Sequence, residues 1–586
     1  MRALMPCGET VIASCHADGR LYAVHPEGAV APQPITPEGP WRYADLRFDP
    51  RSPRLVAVRE THDAEHPNDH RLVVNEIVAL ALDGSDAAGR VLVSGPDFVS
   101  SPRFSPNGRW LAWLEWDLPY MPWDASRLRV APVYEDGSLG EARTLAGGDE
   151  ISVAQPAWSP GGVLHVVSDR GGWWNLYAFA VGEGGRPVGP KRALAPMDAE
   201  FADPAWVFGD SSYAFTPDGS ILATARADGR DRLLRIEREG AVHDVATPFT
   251  EFEGLAIEGE TAVVEAAGPG DGAALLRLDA RTAQPIGVLA RSLPSPLDPG
   301  VLPVGESIAF PTSGGAIARA LFFPPANRRY RPPEGEKPPL LVLIHGGPTS
   351  SASSALSLDR AFFTSRGIAV ADVNYRGSDG YGRAYRDALN GGWGEVDVDD
   401  AVAAARFLAQ RGDVDPARMA VRGGSAGGFT TMACLAFRPD VFAAGISLFG
   451  IADLELIHED THKFESRYEE QLVGPWGDDR TVWRERSPIH SLDRITAPLL
   501  LLQGLDDRVV PASQLDVVEA AFRQRGHPYV ALRFEGEGHG FRKAESRRAQ
   551  YRAEIGFLGR VFGFVPADGI ELLEVPGFGG SGQGAG

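Results

Sequence analysis

The chain has 586 residues, which is too long for one ordinary hydrophobic core and predicts at least two domains. Its formal net charge of −21 argues against nucleic acid or an anionic membrane surface as a partner, because phosphate groups bind where the field is positive. The sequence contains no apolar run of about 18 residues, so it predicts no membrane-spanning helix. Cys7, Cys15 and Cys434 are widely spaced, which predicts neither disulfides nor a zinc site and favours a reducing compartment. Because Met1–Gly19 lacks the pattern of a secretory signal, we expect a cytoplasmic protein.

The first half of the chain has the pattern of β-structure. Short β-prone apolar runs alternate with Gly, Pro, Asp and Asn turns as far as about Leu293, and helical periodicity is scarce. An aromatic residue two positions before a proline recurs about every 55 residues, an interval that fits one four-stranded propeller blade with its loops. We therefore predict a β-propeller over residues 1–295, with a β-sandwich as the alternative. The aromatic run Asp169–Tyr177 and the repeated aromatic residues are expected to pack between blades; the repeated residues are Phe48, Phe104, Trp158 and Phe215.

The pattern changes after a proline-rich crossover between Leu293 and Pro303. Continuous apolar strands now alternate with helical patterns such as the one near Val398–Gln410, which predicts a parallel sheet covered on both faces. We expect a doubly wound, mostly parallel α/β domain over residues 300–565 and a flexible glycine-rich tail over residues 566–586. The predicted strands are Leu340–Ile344, Ile368–Val373, Met419–Val421, Ala443–Leu448, Leu499–Leu502 and Val530–Phe534.

A G-x-S-x-G motif at Gly423–Gly427 follows a predicted strand and precedes a helical stretch. This strand, sharp turn and helix are the setting of the α/β-hydrolase nucleophile elbow, in which glycines leave room around a strained serine. The motif predicts that Ser425 is the nucleophile. The backbone N–H of Ala426, at the start of the helix, would then face the developing oxyanion.

A serine nucleophile needs a base, and the base needs an orienting carboxylate. In this fold the acid precedes the histidine along the chain, and both follow strands whose carboxyl ends share one rim. His539 follows the last predicted strand on a glycine-flanked loop, whereas His527 precedes that strand. Asp506 and Asp507 both follow the preceding strand. We favour Asp506, because the residue that leaves the strand first should face the histidine loop.

The second oxyanion donor has two candidate sources in the sequence. Gly346 and Gly347 follow an early strand, at the position where such hydrolases place a glycine loop with backbone N–H groups facing the oxyanion. Tyr381, in a glycine-rich segment further along, could donate a hydroxyl instead. The residues alone leave this choice open.

These motifs together resemble the prolyl oligopeptidase family of serine peptidases, and most closely its acylaminoacyl-peptidase branch. The similar segments cover the C-terminal half in matching order; they are His345–Pro348, Asn374–Ser378, Gly423–Gly428, Asp506–Pro511 and Gly538–Phe541. The resemblance implies a propeller that admits oligopeptides and excludes folded proteins. It also implies seven blades preceded by an extra N-terminal segment. This chain starts inside an early blade, which predicts either a truncated start or a propeller that closes differently.

The resemblance also assigns roles to individual residues. It supports Asp506 as the acid, because the family's acid is the first residue of an Asp-x-Arg motif. Arg508 then matches an arginine that holds a substrate carbonyl or terminal carboxylate, as a guanidinium fork can. Tyr381 matches a position that contributes to the oxyanion hole in some relatives.

The leading hypothesis is a serine peptidase that hydrolyses short peptides through an acyl-enzyme, of the acylaminoacyl-peptidase or dipeptidyl-aminopeptidase kind. No metal and no cofactor are required. A carboxylesterase with the same triad is the alternative, and a binding propeller with a relic hydrolase domain is a third hypothesis. The sequence leaves the exopeptidase or endopeptidase mode open and is compatible with a homo-oligomer. We expect an apolar substrate pocket, with lining candidates Phe449, Phe464, Tyr468 and Trp476.

Overall fold

The structure is a computed structural model that describes residues 4–28, 30–66, 69–82, 88–182, 185–293 and 297–579. Residues 4–291 form six four-stranded antiparallel sheets, and residues 306–534 contribute eight strands to one mixed sheet. An N-terminal β-propeller and a C-terminal α/β-hydrolase domain are therefore both present, as predicted. The predicted boundary at residue 295 lies outside the described residues.

Each propeller blade is a meander of four strands in chain order. Blade 1 contains β1 (Leu4–Cys7), β2 (Thr10–Ser14), β3 (Leu21–Val24) and β4 (Gln33–Pro34), and blade 2 contains β5 (Trp41–Phe48), β6 (Arg54–Thr61), β7 (Val74–Ala81) and β8 (Arg90–Val93). Blade 3 contains β9 (Phe98–Phe104), β10 (Trp110–Trp116), β11 (Arg127–Pro132) and β12 (Arg143–Gly147), and blade 4 contains β13 (Val153–Trp158), β14 (Val163–Ser168), β15 (Asn175–Val181) and β16 (Pro187–Ala193). Blade 5 contains β17 (Tyr213–Phe215), β18 (Ile221–Ala227), β19 (Arg230–Ile236) and β20 (Val242–Val245), and blade 6 contains β21 (Glu251–Glu258), β22 (Thr261–Ala267), β23 (Ala274–Asp279) and β24 (Pro285–Arg291).

The number of blades differs from the expectation. The described residues form six blades, one fewer than the seven implied by the family resemblance. The predicted interval of about 55 residues separates the first strands of blades 2 to 5. The described strands between Leu4 and Arg291 form six meanders of four strands each, so no strand is left for a seventh blade within that range.

The repeated aromatic residues end the first strands of blades 2 to 5, and they pack between blades as predicted. Trp158 at the end of β13 donates its indole N–H to the carbonyl of Arg103 in blade 3, at 3.0 Å. Phe215 at the end of β17 meets the ring of His165 in blade 4, with the ring centroids 4.7 Å apart. The following turn is closed by local bonds; in blade 3, for example, the Ser105 hydroxyl accepts the backbone N–H of Trp110 at 3.0 Å.

The hydrolase sheet has eight strands in the order β25-β26-β28-β27-β29-β30-β31-β32. The strands β25 and β26 pair antiparallel at one edge, and from β28 onward all neighbours are parallel. The apolar side chains of the five central strands, β27 to β31, are buried on both faces, which explains the continuous apolar runs in the sequence. The strands are β25 (Glu306–Pro311), β26 (Ile317–Phe323), β27 (Leu340–Ile344), β28 (Ala369–Asn374), β29 (Met419–Gly424), β30 (Ala444–Leu448), β31 (Leu499–Gly504) and β32 (Tyr529–Phe534).

Nine α-helices in the described residues accompany this sheet. They are α1 (Leu358–Thr364), α2 (Arg383–Asp387), α3 (Val396–Arg411), α4 (Ala426–Phe437), α5 (Leu454–Asp460), α6 (Tyr468–Leu472), α7 (Thr481–Arg486), α8 (Ser513–Arg525) and α9 (Ala544–Phe562). Short 3₁₀ turns lie at His70–Leu72, Pro299–Val301, Ser313–Gly315, Lys463–Glu465 and Pro488–Arg494. Within the part of the chain that the structure describes, none of the helices is long and apolar enough to cross a bilayer.

The C-terminal segment is packed rather than flexible as far as residue 579. Ile570 and Val575 are buried in the cluster that contains α9, and the Leu573 N–H donates to the Gly556 carbonyl at 3.2 Å. The prediction of a flexible tail from residue 566 is therefore wrong for residues 566–579. It fails because composition marks only the glycines and misses the isolated apolar residues that dock. The rest of the predicted tail, residues 580–586, lies outside the described residues.

The propeller and the hydrolase domain share a buried polar interface around α2. Arg386 of α2 is buried, and its guanidinium contacts the Asp169 carboxylate of blade 4 at 2.8 Å. Arg383 reaches the same carboxylate at 2.7 Å, and the Arg386 guanidinium lies 4.3 Å from the centre of the Trp174 ring. The run Asp169–Tyr177, expected to pack only between blades, therefore also anchors the hydrolase domain.

Candidate active site

Ser425 lies in a strained turn between β29 and α4. Its backbone has φ 56° and ψ −124°, a conformation that residues with a side chain rarely adopt. The neighbouring glycines are required sterically, because a Cβ on Gly423 would lie 2.3 Å from the Gly427 carbonyl and one on Gly427 would lie 2.2 Å from the Ile344 carbonyl. The Ser425 N–H donates to the Leu448 carbonyl at 3.0 Å, which ties the turn to β30. The predicted nucleophile elbow is formed.

The parallel strand order brings the functional loops to one rim of the sheet. The strands β29, β30, β31 and β32 are consecutive neighbours, and their carboxyl ends lead to Ser425, Phe449, Asp507 and His539 respectively. Phe449 bridges the loops, because its ring lies 4.8 Å from the His539 ring and against the position of a Cβ on Gly424. The loops that carry Ser425 and His539, 114 positions apart in the sequence, thus both lie against the Phe449 ring at this rim.

The carboxylate that contacts His539 belongs to Asp507. Asp507 Oδ2 lies 2.8 Å from His539 Nδ1, and the Asp507 side chain is completely buried. Its other oxygen accepts the backbone N–H groups of Val509 and Val510, each at 2.9 Å. A carboxylate held by two backbone donors is fixed in orientation and can in turn orient the imidazole.

The preference for Asp506 is therefore wrong in this structure. Asp506 is exposed, and only its backbone takes part in the site: its N–H donates to the Glu537 carbonyl of the histidine loop at 2.9 Å. The chain leaves β31 at Gly504 with Leu505 and Asp506 outward and turns inward at Asp507. The hydrogen bonds from the Val509 and Val510 N–H groups hold the Asp507 carboxylate inward. These bonds, rather than the distance from the strand end, decide which aspartate faces His539.

The histidine loop is fixed independently of the triad. The buried Glu537 carboxylate accepts the backbone N–H groups of Arg542 and Lys543, at 2.9 and 2.8 Å. A Cβ on Gly504 would lie 2.5 Å from the carbonyls of Glu537 and Gly538, so glycine allows the two loops to approach.

The glycine loop after β27 lies beside the nucleophile. A Cβ on Gly346 would lie 3.4 Å from the Ser425 Cβ, which places the Gly346–Gly347 backbone next to the reacting hydroxyl. The Ala426 N–H opens α4 and is among the helix N–H groups that have no helical partner. Both predicted backbone donors therefore adjoin Ser425.

His345 supports this glycine loop from behind. Its Nε2 lies 2.7 Å from the Ser378 hydroxyl and its ring stacks on Tyr375, with ring centroids 4.3 Å apart. Burial lowers the pKa of His345, so the imidazole is neutral at pH 7.

Tyr381 is engaged elsewhere. Its hydroxyl accepts the Asn374 amide N–H at 2.8 Å, and burial raises its pKa to about 12. Among the described residues that line the cavity at Ser425, Tyr381 does not occur. The geometry thus favours the glycine loop over Tyr381.

A small cavity of about 30 Å³ opens beside Ser425. Tyr468, one of the predicted lining residues, forms part of its wall. Most of the wall is apolar, as expected, but Glu465 and the buried Glu469 also reach it, and burial raises the pKa of Glu469. The other lining residues are Gly347, Pro348, Trp393, Ile451, Ile457, Thr461, Leu472, Val509 and Val510.

The other predicted substrate-binding residues lie outside the described lining of the Ser425 cavity. Phe449 adjoins His539, whereas Phe464 is inserted among propeller aromatic rings, 5.7 Å from the Phe98 ring. Trp476 packs on His458, and its ring is covered by Arg480 at 3.7 Å. Among the described residues, Arg508 is exposed and makes no hydrogen bond or ion pair. Neither Arg508 nor Trp476 belongs to the described lining of the Ser425 cavity.

A larger cavity of about 470 Å³ lies inside the propeller, where it faces the hydrolase domain. Aromatic side chains from blades 3 and 4, together with Trp206 and Phe464, form part of its lining. Asp203 contributes a half-exposed carboxylate to this cavity and forms an ion pair with Arg226 at 2.8 Å; desolvation nevertheless raises the pKa of Asp203 above its usual value. Phe464 was among the predicted lining residues, whereas Asp203 and Trp206 were not predicted, because they lie in the loop between β16 and β17 and carry no motif.

One group of potential metal ligands occurs among the described residues. Asp453, Glu455 and His490 bring ligand atoms within 4.8 Å of one another. Asp453 already caps α5, and Glu455 pairs with Arg484 at 3.0 Å, so both carboxylates have a structural role. Asp453 and Glu455 lie in sequence between two residues of the Ser425 cavity wall, but neither they nor His490 belong to the described lining of that cavity.

Comparison with known proteins agrees with this geometry. The model of the prolyl oligopeptidase family matches residues 354–564. A puromycin-hydrolysing peptidase of Mycobacterium tuberculosis, known as a solved structure, is 40% identical and superimposes with a TM-score of 0.92 over 98% of this chain and 88% of its own. The chain belongs to the prolyl oligopeptidase family.

Curated relatives match over part of the chain. Dipeptidyl aminopeptidase BIII of Pseudoxanthomonas mexicana is 34% identical over 230 residues, which cover 38% of this chain and 33% of that enzyme. The acylamino-acid-releasing enzyme of Arabidopsis thaliana is 32% identical over 215 residues, which cover 35% of this chain and 28% of that enzyme. The matched part of the chain thus spans about a third of the length of these curated relatives. The expected family resemblance is confirmed.

Proposed function

We propose that this protein is a serine peptidase that hydrolyses short peptides through an acyl-enzyme on Ser425. The contact between His539 and the buried Asp507, at the rim that carries the strained Ser425, is the observation on which the proposal rests. This arrangement supplies a nucleophile, a base and an orienting acid.

The reaction follows from the positions of these groups. His539 takes the Ser425 proton as the hydroxyl attacks the scissile carbonyl, and Asp507 stabilises the imidazolium that forms. Backbone N–H groups of Ala426 and of the Gly346–Gly347 segment stabilise the tetrahedral oxyanion. The imidazolium then gives its proton to the leaving amine. Water, activated in the same way, releases the acyl group from Ser425.

The propeller limits the size of the substrate. It covers the rim of the hydrolase sheet, and the 470 Å³ cavity between the domains is large enough for a few residues but not for a folded chain. The relatives named for dipeptidyl-aminopeptidase, acylamino-acid-releasing and puromycin-hydrolysing activities suggest exopeptidase action on short peptides and on aminoacyl amides. We include puromycin itself among the substrates to be tested.

We also propose a reducing, cytoplasmic location and short peptides, rather than nucleic acid or membrane, as partners. Three free cysteines, of which Cys434 is buried, and the net charge of −21 support this proposal.

A fluorophosphonate probe tests the chemistry. We expect it to label the wild-type protein and a Ser292→Ala control, which changes an exposed propeller serine, and not the Ser425→Ala variant. Peptide anilides, p-nitrophenyl esters and puromycin then compare amide with ester hydrolysis, and mass spectrometry of a peptide library with free and acetylated amino termini maps the cleaved bonds. Labelling without any amide hydrolysis would instead support the carboxylesterase alternative.

A further inference from the structure

The glycine loop beside Ser425 is held from the propeller side by one hydrogen bond. Thr349 directly follows Gly346, Gly347 and Pro348, and its carbonyl accepts the indole N–H of Trp206 at 2.7 Å. Trp206 lies in the propeller, in the loop between β16 and β17. This bond joins two segments that are 143 residues apart in the sequence and belong to different domains.

The hydrolase domain holds the same residue from the other side. The Tyr468 hydroxyl lies 3.2 Å from the Thr349 N–H and 2.5 Å from the Thr349 hydroxyl. Tyr468 also packs against Trp206, with their rings nearly perpendicular and the centroids 5.7 Å apart. All three polar groups of Thr349 therefore have partners, and the propeller supplies the partner of the carbonyl.

The segment after Thr349 continues along the propeller. The Ser354 N–H donates to the Gly229 carbonyl at 3.1 Å, and the Leu356 N–H donates to the Gly268 carbonyl at 2.9 Å. These contacts lie further from Ser425 in the chain, so they fix the segment as a whole. The bond from Trp206 is the first of them after the glycines.

The position of this loop matters for rate, because an oxyanion donor acts only within about 2.7–3.1 Å of the developing charge. A misplacement on the order of 1 Å can cost about a hundredfold in rate. We propose that Trp206 is a positioning residue, whose indole N–H sets the glycine loop so that its backbone can stabilise the oxyanion at Ser425. The propeller then completes the catalytic site as well as screening substrates. This inference rests on the proposed function, since it assigns the glycine loop an oxyanion.

The test compares two identical changes at different places. Trp206→Phe removes the indole N–H and keeps an aromatic ring, and Trp158→Phe removes a similar indole-to-carbonyl bond, 3.0 Å long, that lies wholly within the propeller. For Trp206→Phe we expect kcat for a peptide anilide to fall about five- to tenfold with KM within about twofold, as for the loss of one hydrogen bond that matters in the transition state. Trp158→Phe should keep kcat within about twofold.

Three further measurements separate positioning from a general loss of structure. The inhibition constant of a peptide boronic acid, whose tetrahedral adduct occupies the oxyanion site, should rise in proportion to the loss of kcat/KM in Trp206→Phe. Hydrogen exchange of the backbone amides at residues 346–352 should quicken in Trp206→Phe alone. The rate of fluorophosphonate labelling should fall in the same variant, because phosphonylation of Ser425 also places an oxygen at the donors.

A kcat for Trp206→Phe equal to wild type, or an equal fall in Trp158→Phe, would overturn the inference. A rise of KM alone would do the same, because it would make Trp206 a substrate contact. Labelling of the wild type without peptide hydrolysis would contradict the proposed substrate class but leave the labelling rate as a test of Trp206. An unlabelled wild type would contradict the proposed function itself, and exchange at residues 346–352 would still report whether the bond orders the loop.

Discussion

Two adjacent aspartates have different roles in the acid loop. Asp507 presents a buried carboxylate to His539, and Asp506 contributes a backbone N–H that ties the acid loop to the Glu537 carbonyl. The two residues are chemically identical, so their difference lies in the direction in which each side chain leaves the backbone. The bonds from Val509 and Val510 to Asp507 fix that direction.

The first prediction follows from this difference. Asp507→Asn should lower kcat for a peptide anilide by about 10³- to 10⁴-fold, because an amide cannot stabilise the imidazolium and favours the wrong tautomer of His539. The matched Asp506→Asn variant keeps its backbone N–H and should retain kcat within about threefold. Steady-state kinetics of both variants decide the assignment. If Asp506→Asn were the inactive member of the pair, Asp506 would be the acid after all.

How far the sequence could predict these residues depended on whether a role leaves a local pattern. The sharp turn at Ser425 and the approach of His539 to an aspartate were predictable, because a G-x-S-x-G motif and a glycine-flanked histidine mark them. Asp507 was not distinguished from Asp506, since a side-chain turn at the end of a strand is a three-dimensional property. Trp206 left no local pattern at all, because its partner is 143 residues away.

The elbow between β29 and α4 requires close approach between the start of α4 and the backbone at the end of β27. The Gly427 Cα faces the Ile344 carbonyl of β27, and there is no space for a methyl group between them. This contact lets α4 begin directly under the glycine loop. The element that presents Ser425 and the strand that leads to Gly346 are thus packed as one unit.

The second prediction concerns this contact. Gly427→Ala should lower the free energy of unfolding by about 1–3 kcal/mol and abolish labelling by a fluorophosphonate, because the new Cβ meets backbone rather than a flexible side chain. Gly477→Ala is the control, since a Cβ there has no atom within 4 Å, and its stability should stay within about 0.5 kcal/mol of wild type. Denaturant titration and probe labelling measure both effects. Normal labelling of Gly427→Ala would show that the elbow tolerates a shift of α4.

At the scale of elements, apolar runs and turn residues predicted the parallel strands and the aromatic repeat of the blades. The strand β27 was predicted at Leu340–Ile344 and is observed there, because a strand buried on both faces must be apolar throughout. The number of blades was left open between seven and a propeller that is truncated or closes differently, and the docking of residues 566–579 was predicted wrongly. Both depend on how elements pack against one another, which local composition does not report.

The two domains are joined through buried charges as well as aromatic packing. Arg386 of α2 is 2% exposed at its side chain; its nearest carboxylate is that of Asp169 in blade 4 at 2.8 Å, and that of Asp387 lies at 3.8 Å. Arg383 shares that carboxylate. On the other side of the interface Phe464 and Lys463 enter the propeller, where the Lys463 ammonium donates to the Val73 carbonyl at 2.8 Å.

The third prediction tests this joint. Asp169→Asn removes the nearer carboxylate of the buried Arg386 guanidinium and leaves only that of Asp387 at 3.8 Å. Removal of one partner of a buried ion pair costs about 3–5 kcal/mol. We expect the wild type to unfold in one transition and Asp169→Asn to unfold in two. In Asp169→Asn, a protease should cleave the crossover between the domains before either domain unfolds. Asp149→Asn, at an exposed aspartate just before the same blade, should unfold like the wild type. An unsplit, unshifted transition in Asp169→Asn would contradict the role of this ion pair.

If Trp206 positions the glycine loop as proposed, its bond to Thr349 couples the reactivity of Ser425 to the contact between the two domains. Any motion that parts the two domains widely enough to let a large chain reach Ser425 also pulls the indole away from the loop that it steadies. With the domains apart, the protein would admit large chains but would hydrolyse them slowly, because the glycine loop is no longer held in position. Such a restraint needs no separate inhibitor, because the propeller both limits access to Ser425 and positions the glycine loop.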